Sequence, residues 1–444
     1  MSACRLYRST CANLGPFVLG EHLYNTRTGA VFRVTDKNSN VYAVKVFTYG
    51  DNQPVGHKER RLYDYANERS SLLTVTKASC PDLLKALVDK DQAGKSVTCS
   101  NHHVQLMLGL DVPLVESAGG APIASRRMRI VNSQGDDTER HLDFGANTLL
   151  PYMAGGRLND LVTRVPKYQS MVVRYPLYVD VAPQMVDAVR YLHSLHLAHL
   201  GITASTILCS SVNCEDAVLA DPSTAWNGEA GSQSPFNNEL MQQSVRFAQF
   251  TPTEPKTGDE SPKPSEVAKT FSTYLKEELS WEGTMKVDWY GLGGALFYVL
   301  AGIRPVAEDR SGPNSHDVAE FIYKALQSQR LLSKVPTEDA RAALAKIRDQ
   351  VAEGLLLVDG LLQTDRSKRI SFDAGVNGKQ QASLVKTKLR TSKSAMSALQ
   401  VDTARPGNSC ASFLQDSTKE SATLASLPVG DKTALPAFIQ DICL

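Results

Sequence analysis

The stretch YLHSLHLAHLGITASTIL, residues 191–208, decides the fold of this chain. It closes a long helical pattern, clearest over Leu177–His196, where apolar residues recur at three and four positions. It then passes through a polar loop into a β-branched strand. A carboxylate follows in DAVLADPSTAW, where Asp221 stands 20 residues after Gly201.

A hairpin lies on the N-terminal side of this stretch. Residues 30–47, AVFRVTDKNSNVYAVKVF, read as two β-branched strands around a polar turn. Period two places Ala43 and Lys45 on one face of the second strand. A lysine beside a small residue suits a site that pairs phosphates beneath a flat base. A solvent-facing lysine is the alternative interpretation.

A helical pattern follows over Glu59–Leu73 and carries two carboxylates. Glu68 is a candidate partner of Lys45, and Glu59 is its rival on the same segment. A carboxylate on a helix surface explains either residue equally well until other motifs support the pair.

Residues 191–208 resemble the catalytic loop of protein kinases, in which His-Arg-Asp is followed, five positions after the Asp, by Asn. Aligned on His199, the Asp position is Gly201, the following lysine position is Thr203 and the Asn position is Thr206. Asp221 lies close to the spacing of the metal-binding Asp-Phe-Gly, and here it begins Asp-Pro-Ser. The resemblance therefore comes with a changed catalytic loop.

Further kinase motifs follow in order. Pro252–Glu254 resembles the Ala-Pro-Glu that ends an activation segment, Asp288 opens a stretch similar to the central helix of the large lobe, and Arg369 resembles the arginine that pairs with Glu254. A literal Asp-Phe-Gly at Asp143–Gly145 precedes the catalytic-loop match. Its order is wrong, and we interpret it as chance in a strand or loop.

Together the motifs resemble an α+β, bilobal eukaryotic protein-kinase-like fold over residues 19–375. We expect a small β-rich N-lobe at about 19–152 and a larger helical C-lobe at about 155–375. Residues 1–18 form an N-terminal segment, and residues 376–444 are a Ser, Thr, Ala and Lys-rich tail expected to be largely disordered.

Within this fold the changed catalytic loop, LLPYMAGGRLNDL and FAQFTPTEP are most similar to the rhoptry-family kinases and pseudokinases of coccidian parasites. That resemblance implies a secreted effector of parasite virulence, delivered from rhoptries to the host cell or the parasitophorous vacuole. It also implies a protein partner: an active parasite kinase, a host protein or another secreted factor. Residues 1–20 show no signal peptide.

The catalytic positions are degenerate. Gly201 supplies no base, and Thr206 offers a neutral hydroxyl where an amide oxygen helps to hold the second metal. In the phosphate loop, Tyr24 and Thr26 replace glycines and obstruct the backbone approach that glycine allows, unless Gly20 serves in a longer loop. No residue is therefore assigned a catalytic role.

Other positions retain kinase character. The candidate nucleotide-binding residues are Val31, Ala43, Lys45, Glu68 and Asp221. Asp221 is also a weak metal candidate. The candidate framework residues are Glu254, Asp288 and Arg369. The pattern requires no cofactor, although Lys45 and Asp221 suit ATP with magnesium or manganese.

Three functions follow. The first is a catalytically inactive pseudokinase that acts as a protein-binding scaffold or allosteric regulator, with or without weak nucleotide binding. The second is an unconventional ATP-dependent transferase that uses Lys45 and Asp221. The third is a purely structural interaction protein whose cleft is empty.

Composition narrows the classes further. The 444 residues carry 48 Lys and Arg against 47 Asp and Glu, a net charge of +1, which argues against a nucleic-acid binder. The longest apolar stretch, Gly291–Ile303, is short of the roughly 20 residues of a membrane span. The eight cysteines contain no metal-binding spacing and read as scattered thiols, with Cys209 and Cys214 as a local pair that a hairpin can join.

The remaining expectations concern secondary structure. We expect helix over Asp82–Val88, strands over His103–Val115 and Asn147–Tyr152, and a loop insertion over Glu116–Arg140. The five positive charges between Lys379 and Lys393 indicate a solvated tail or, less simply, a contact patch.

Overall fold

A sheet that is antiparallel except for one edge strand grows from the hairpin that the sequence predicts. In the computed structural model, neighbouring strands pair in the order β4-β7-β3-β2-β1-β5, and β6 pairs with β7. The strands are β1 (Phe17–Asn25), β2 (Gly29–Thr35), β3 (Val41–Tyr49), β4 (Gly109–Leu110), β5 (Leu114–Val115), β6 (Ser125–Val131) and β7 (Asp137–Pro151). Asp36 Oδ1 closes the turn between β2 and β3 by accepting hydrogen bonds from the N–H groups of Asn38 and Asn40, each at 2.8 Å.

The structure describes only part of the chain. The described residues are 16–26, 28–49, 55–83, 99–123, 125–131, 137–168, 171–228, 281–301, 356–358, 360–362, 369–373 and 378–391. Of the expectations above, Glu254 and nearly all of the N-terminal segment lie outside these residues, as does most of the helix expected over Asp82–Val88.

Two sequence expectations in the sheet are corrected. The expected loop insertion over Glu116–Arg140 contains β6, SRRMRIV, which pairs along its whole length with the start of β7. The expected strand over His103–Val115 is mostly irregular, and only β4 and β5 are regular. Its backbone bonds go elsewhere, since the Gln105 N–H donates to the Leu219 carbonyl at 2.9 Å.

A long helix, α1 (Val55–Ser79), packs beside the sheet and is tied at its C-terminal end. Cys80 forms a disulfide with Cys99, and Ser79 Oγ lies 2.7 Å from the hydroxyl of Tyr191. One turn earlier, the Met107 N–H donates to Thr76 Oγ1 at 2.9 Å. These contacts fix which face of α1 points inward. The bridge itself was not expected from the sequence, which suggested scattered thiols.

The chain divides into two compact units. The first comprises residues 1–154, 191–201 and 218–245, and the second comprises 155–190, 202–217 and 246–444. The domain boundaries inferred from the motifs remain a prediction.

The second unit contains most of the helices. Its elements include β8 (Gly156–Arg157), α2 (Leu158–Arg164), most of α3 (Met171–Ser194), β10 (Ile207–Cys209), α4 (Trp281–Ala301) and a helix that we call α5 (residues 378–391). The short strands β9 (Leu197–Ala198) and β12 (Trp226–Asn227) pair with each other and belong to the first unit. Strand β11 (Ala217–Leu219) has its first residue in the second unit and the other two in the first. The buried ring of Trp289 meets Phe372 edge to face at 5.1 Å, and its Nε1 donates to Asp373 Oδ2. None of the helices that the structure describes is both long and apolar enough to cross a membrane.

Two features of the second unit bear on the sequence expectations. Cys209 and Cys214 are joined by a disulfide, so the suggested local pair is a bridge. Residues 378–391, placed by sequence in a largely disordered tail, form helix α5. Ala382, Val385 and Leu389 recur on one side of it, and Leu389 is buried, so packing orders this part of the tail.

Candidate functional site

A buried lysine lies at the centre of the first unit. Lys45 stands on β3 opposite Val31 of β2, and only 2% of it is exposed. Its Nζ donates to both oxygens of Glu68, at 2.7 and 2.6 Å, and to Asp221 Oδ1 at 2.8 Å. The structure thus brings together the three residues that the motifs single out, from β3, from α1 and from the segment after β11.

The charges of this site depend on one another. Thr28 adds a hydrogen bond from its hydroxyl to Glu68 Oε2 at 2.8 Å. Burial alone lowers the pKa of Lys45, but the charges of Asp221 and Glu68 outweigh it, and the pKa is raised. Lys45 is therefore a cation at neutral pH, and the two carboxylates compensate its burial.

Asp221 is held in an unusual backbone conformation. Its φ of 60° and ψ of 56° lie in the left-handed region, which costs a non-glycine residue roughly 1–2 kcal/mol. A 3₁₀ turn, Pro222–Thr224, follows at once. From α1, Asn67 Nδ2 donates to the carbonyls of Ser223, at 3.2 Å, and Ala225, at 2.5 Å. The helix that carries Glu68 thereby also positions Asp221.

The catalytic-loop position of Gly201 is sterically closed. A Cβ placed on Gly201 would stand 2.5 Å from the hydroxyl oxygen of Thr224, far inside van der Waals contact. That hydroxyl does not swing away freely, because it donates to the His199 carbonyl at 2.9 Å. His199 Nε2 in turn lies 3.0 Å from the Ala220 carbonyl, which requires the proton on Nε2. The space where a side chain of residue 201 would begin is thus taken by Thr224.

The other catalytic-loop residues, in the second unit, form a closed turn. Thr206 Oγ1 donates to the Thr203 carbonyl at 3.0 Å and accepts the Thr203 N–H at 2.9 Å. Thr203 Oγ1 accepts the Ser205 N–H at 3.2 Å. These hydroxyls shape the backbone of the turn, which is a structural role.

The turn between β1 and β2 is short and closed. The Thr26 N–H donates to the Gly29 carbonyl at 2.8 Å, and the Gly29 N–H donates to Thr26 Oγ1 at 3.1 Å. Gly20, suggested as part of a longer phosphate loop, instead lies within β1, where a Cβ would approach the Arg33 carbonyl to 2.9 Å. The flexible glycine loop of a phosphate site is replaced by a capped hairpin turn.

The apolar face next to Lys45 is covered by the chain itself. Val31 and Ala43 belong to a buried cluster that also contains Leu72, Met107 and Leu150. The partly buried side chains packed against this cluster are Leu23, Tyr24 and Tyr152. The surface that would receive a flat base thus already has protein contacts.

The residues of this site fit only part of ATP with its divalent metal ions. Lys45 and Asp221 suit phosphates and one metal ion. The Thr206 hydroxyl donates a hydrogen bond within its own turn, and the Thr26 hydroxyl accepts one from the Gly29 N–H in the short turn between β1 and β2. Tyr24 packs against the apolar cluster that would receive the base. Within the described residues, no group of three or more His, Cys, Asp and Glu could hold a metal.

Of the framework residues, Arg369 contacts α4, the helix that carries Asp288. Arg369 donates from Nη1 to the Lys286 carbonyl at 2.9 Å, and its guanidinium lies 4.8 Å from the centre of the Tyr290 ring. Asp288, between these positions on α4, is buried. The predicted pairing of Arg369 with Glu254 lies outside the described residues.

Sequence reasoning missed three residues of the site: Thr28, Asn67 and Thr224. Each acts through a contact between segments distant in sequence, which local patterns do not show. Only Thr28 has a signal nearby, since it follows closely on Tyr24 and Thr26, the two positions where the phosphate loop lacks its glycines.

No protein-family model and no curated protein matches this sequence. Among solved structures, the chain is similar to the ROP18 kinase domain in complex with AMP-PNP and sucrose, at 14% identity over 84% of this chain and 82% of that chain, with a TM-score of 0.39. It is also similar to ROP2 from Toxoplasma gondii, a virulence factor with a protein-kinase fold and no enzymatic activity, at 14% identity over 87% and 85% of the two chains, with a TM-score of 0.43.

Both are Toxoplasma rhoptry proteins, and the likeness concerns the fold alone. It transfers neither a ligand nor an activity to this chain. With the mainly antiparallel sheet, α1 and the Lys45–Glu68 pair present, the predicted α+β protein-kinase-like fold is confirmed.

Removing the lysine charge is expected to destabilise the protein. Lys45→Met leaves Glu68 and Asp221 facing each other without their cation, which costs about 3–5 kcal/mol of unfolding free energy. Adding Glu68→Gln to that variant should recover part of the loss, because the amide still accepts from Thr28. Urea unfolding measures both. The matched control, Lys77→Met on the exposed face of α1, the helix that carries Glu68, should stay within about 0.5 kcal/mol of the parent. An equal, small effect at both lysines would show that the site stabilises nothing.

The contact between positions 201 and 224 predicts coupled substitutions. Gly201→Ala is expected to cost about 1–3 kcal/mol through overpacking, and Thr224→Ala about 1 kcal/mol through the lost hydrogen bond. Since Thr224→Ala also removes the obstructing atom, the double variant should be more stable than the sum by about 0.5–3 kcal/mol. The control pairs Gly201→Ala with Thr163→Ala, an exposed position, and should be additive. Additivity in both cycles would contradict the steric closure.

Proposed function

We propose that this chain is a pseudokinase, a kinase-like fold that transfers no phosphoryl group and works by binding other proteins. One observation carries the proposal: the Thr224 hydroxyl fills the space at Gly201 in which the side chain of a catalytic aspartate would begin. Residue 201 is therefore a glycine, which supplies no base, and the Thr224 hydroxyl also occupies the space that an aspartate side chain would need.

The size of the loss follows from the chemistry. In phosphoryl transfer, a carboxylate accepts the proton of the acceptor hydroxyl, and metal ions bridge the phosphates. General-base catalysis contributes about 10²–10⁴-fold, and Gly201 supplies none of it. The hydrogen bonds of Thr206 within its own turn further disfavour a second metal ligand at that position. A retained Lys45 does not compensate for either loss.

An unconventional ATP-dependent transferase using Lys45 and Asp221 is the alternative. Lys45 and Asp221 lie within hydrogen-bond distance of each other, but Asp221 Oδ1 already accepts from Lys45, and the neighbouring apolar face is covered. The contacts of Leu23, Tyr24 and Tyr152 favour a nucleotide cleft that is filled by the protein. We therefore propose that neither ATP nor magnesium or manganese is needed for function.

The partner class follows from the family resemblance: an active parasite kinase, a host protein or another secreted factor. We also propose that the protein is a secreted effector that works in or passes through an oxidising compartment. Two disulfides, Cys80–Cys99 and Cys209–Cys214, support this, because such bridges persist in oxidising compartments and are rare in the cytosol.

Purified full-length protein is expected neither to bind ATP nor to transfer its phosphate. Incubation with radiolabelled ATP and magnesium or manganese should label neither the chain nor a generic protein substrate beside an active kinase as positive control. A thermal and urea titration with the same nucleotide should show no stabilisation, whereas ligand at 100 times its Kd stabilises by about 2.7 kcal/mol.

The two readouts separate the rival functions. Labelling that Lys45→Ala abolishes would overturn the pseudokinase proposal in favour of the transferase. Stabilisation by ATP without labelling would leave the pseudokinase standing and contradict the filled cleft. A Tyr24→Ala variant serves as comparison, since gain of binding there alone would assign the obstruction to that ring.

The secretory proposal predicts both bridges in the native protein. Protein isolated from its own cells, alkylated before any reduction and digested, should yield the disulfide-linked peptides of Cys80–Cys99 and Cys209–Cys214 in mass spectrometry. Alkylated thiols at these four positions would contradict passage through an oxidising compartment.

A further inference from the structure

The disulfide Cys80–Cys99 lies where two segments of the first unit meet. Cys80 directly follows α1, and Cys99 opens an irregular stretch, residues 99–108, that we call the 99–108 segment. The Ser100 N–H donates to the Ser79 carbonyl at 3.0 Å, so the two backbones lie side by side at the bridge. The bridge therefore ties the end of the helix that carries Glu68 to the 99–108 segment.

The 99–108 segment in turn holds the strand that leads to Asp221. The Leu219 N–H donates to the His103 carbonyl at 2.7 Å, and the Gln105 N–H donates to the Leu219 carbonyl at 2.9 Å. Leu219 is the last residue of β11 and stands two residues before Asp221. Displacing the 99–108 segment therefore displaces the backbone that positions Asp221.

Tyr191 of α3 holds the joint between α1 and the 99–108 segment from a third side. Its hydroxyl lies 2.7 Å from Ser79 Oγ, and its ring stacks on the ring of His102 at 3.7 Å. One turn back along α1, Thr76 Oγ1 accepts a hydrogen bond from the Met107 N–H at 2.9 Å. These contacts are non-covalent, and the disulfide is the covalent cross-link of the joint.

This joint is one corner of a closed ring of contacts. From Asp221 the ring passes through Lys45 to Glu68, at 2.8 and 2.7 Å, and then along α1 to Cys80. Cys80 stands 12 residues after Glu68, roughly 18 Å along a helix. Packed and hydrogen-bonded elements of this kind carry coupling between distant positions. Opening the ring at the bridge therefore makes it easier for Glu68 and Asp221 to move away from Lys45.

The two bridges of the described residues differ in their access to solvent. Cys99 is 7% exposed, and Ser100 beside it is exposed. Cys209 and Cys214 are both fully buried, at 0%. Exposed disulfides are the more easily reduced ones. A small thiol reductant is therefore expected to reach the bridge at Cys99 first.

We propose that the Cys80–Cys99 bridge is a redox switch whose reduction loosens α1 and, through the ring of contacts, the Lys45–Glu68–Asp221 site. A thiolate of glutathione or of a small dithiol attacks the Cys99 sulfur, and Cys80 leaves as a thiolate and takes up a proton. A second thiolate attacks the reductant sulfur of this mixed disulfide and releases Cys99, which is protonated in turn. The cysteines gain two electrons and two protons, and the reductant becomes its disulfide.

The use of the switch in the cell rests on the proposed passage through an oxidising compartment. Disulfides persist in such compartments, whereas glutathione and thioredoxin keep cytosolic thiols reduced. Delivery from the first environment to the second converts a bridged protein with a fixed α1 into a reduced protein with a looser α1. The coupling between the bridge and the site requires no compartment, and purified protein tests it.

The first experiment follows α1 in the full-length protein before and after reduction. Hydrogen–deuterium exchange compares the oxidised protein with protein in which mass spectrometry of alkylated thiols shows Cys80 and Cys99 reduced and the other bridge intact. Amide exchange in residues 62–79 and 100–107 should rise about tenfold or more, because local opening there becomes easier. Exchange in residues 171–190 of the second unit should stay within about twofold.

Two double variants provide matched controls. Cys80→Ser with Cys99→Ser should reproduce the faster exchange without reductant, and the reduced parent supplies the same comparison if this variant does not fold. Cys209→Ser with Cys214→Ser should leave the exchange of α1 within about twofold of the parent, because that bridge closes a local turn in which the Cys214 N–H donates to the Ser211 carbonyl at 2.9 Å. Unchanged exchange in α1 after reduction, an equal rise in both units, or a Cys80–Cys99 bridge that resists reductant until the protein unfolds overturns the proposal.

The second experiment measures the coupling from the opposite end. Linkage is reciprocal, so weakening the site must ease reduction of the bridge. Asn67→Ala removes the hydrogen bonds from α1 to the Ser223 and Ala225 carbonyls and leaves both cysteines unchanged. The equilibrium constant for reducing the bridge in dithiothreitol buffers should rise about threefold or more, whereas Ser70→Ala, an exposed substitution on α1, should leave it unchanged. Equal constants in the parent and in Asn67→Ala contradict the coupling.

The outcomes separate this inference from the earlier proposals. A Cys80–Cys99 bridge that is absent from the native protein overturns the secretory proposal and the cellular switch together. Exchange in α1 that ignores reduction overturns the switch alone. Neither measurement depends on labelling by ATP, so failure here leaves the absence of phosphoryl transfer to be judged by its own test.

Discussion

The buried ammonium of Lys45 joins three parts of the chain that no local interaction would hold together. It draws Glu68 of α1 and Asp221, 176 residues away, onto one face of β3. An isolated charge at this depth would cost several kcal/mol, so the three groups are stable only as a set. Asn67, one residue from Glu68, then fixes the carbonyls that follow Asp221. The hydrogen bonds of Glu68 and Asn67 thus fix the orientation of α1 against the sheet.

The fold could be predicted because its signals are periodic or ordered along the chain. Alternation placed Ala43 and Lys45 on one face of β3, and the order of the motifs supplied the rest of the kinase-like plan. The irregular course of residues 103–108 could not be predicted, because its backbone bonds go partly to Leu219 rather than into a ladder. The bridge between Cys80 and Cys99 escaped for a related reason, since spacing alone does not encode disulfide pairing.

The candidate site, like the fold, could be predicted only in part. Residue types alone showed that Gly201 lacks a base and that Tyr24 obstructs the phosphate loop. They did not show that Thr224 occupies the space at Gly201, since that contact spans two loops. They also left helix α5 unrecognised, because its buried side consists of only four residues, at positions 378, 382, 385 and 389, and small residues contribute to it. Charge compensation and cavity filling are properties of the assembled unit.

The contact between Gly201 and Thr224 has a consequence for the history of such a protein. A lineage that regains an aspartate at position 201 first meets the Thr224 hydroxyl, and a lineage that first loses that hydroxyl gives up its bond to His199. Each step is unfavourable before the other has occurred. Selection acting on one substitution at a time therefore tends to keep an aspartate out of position 201.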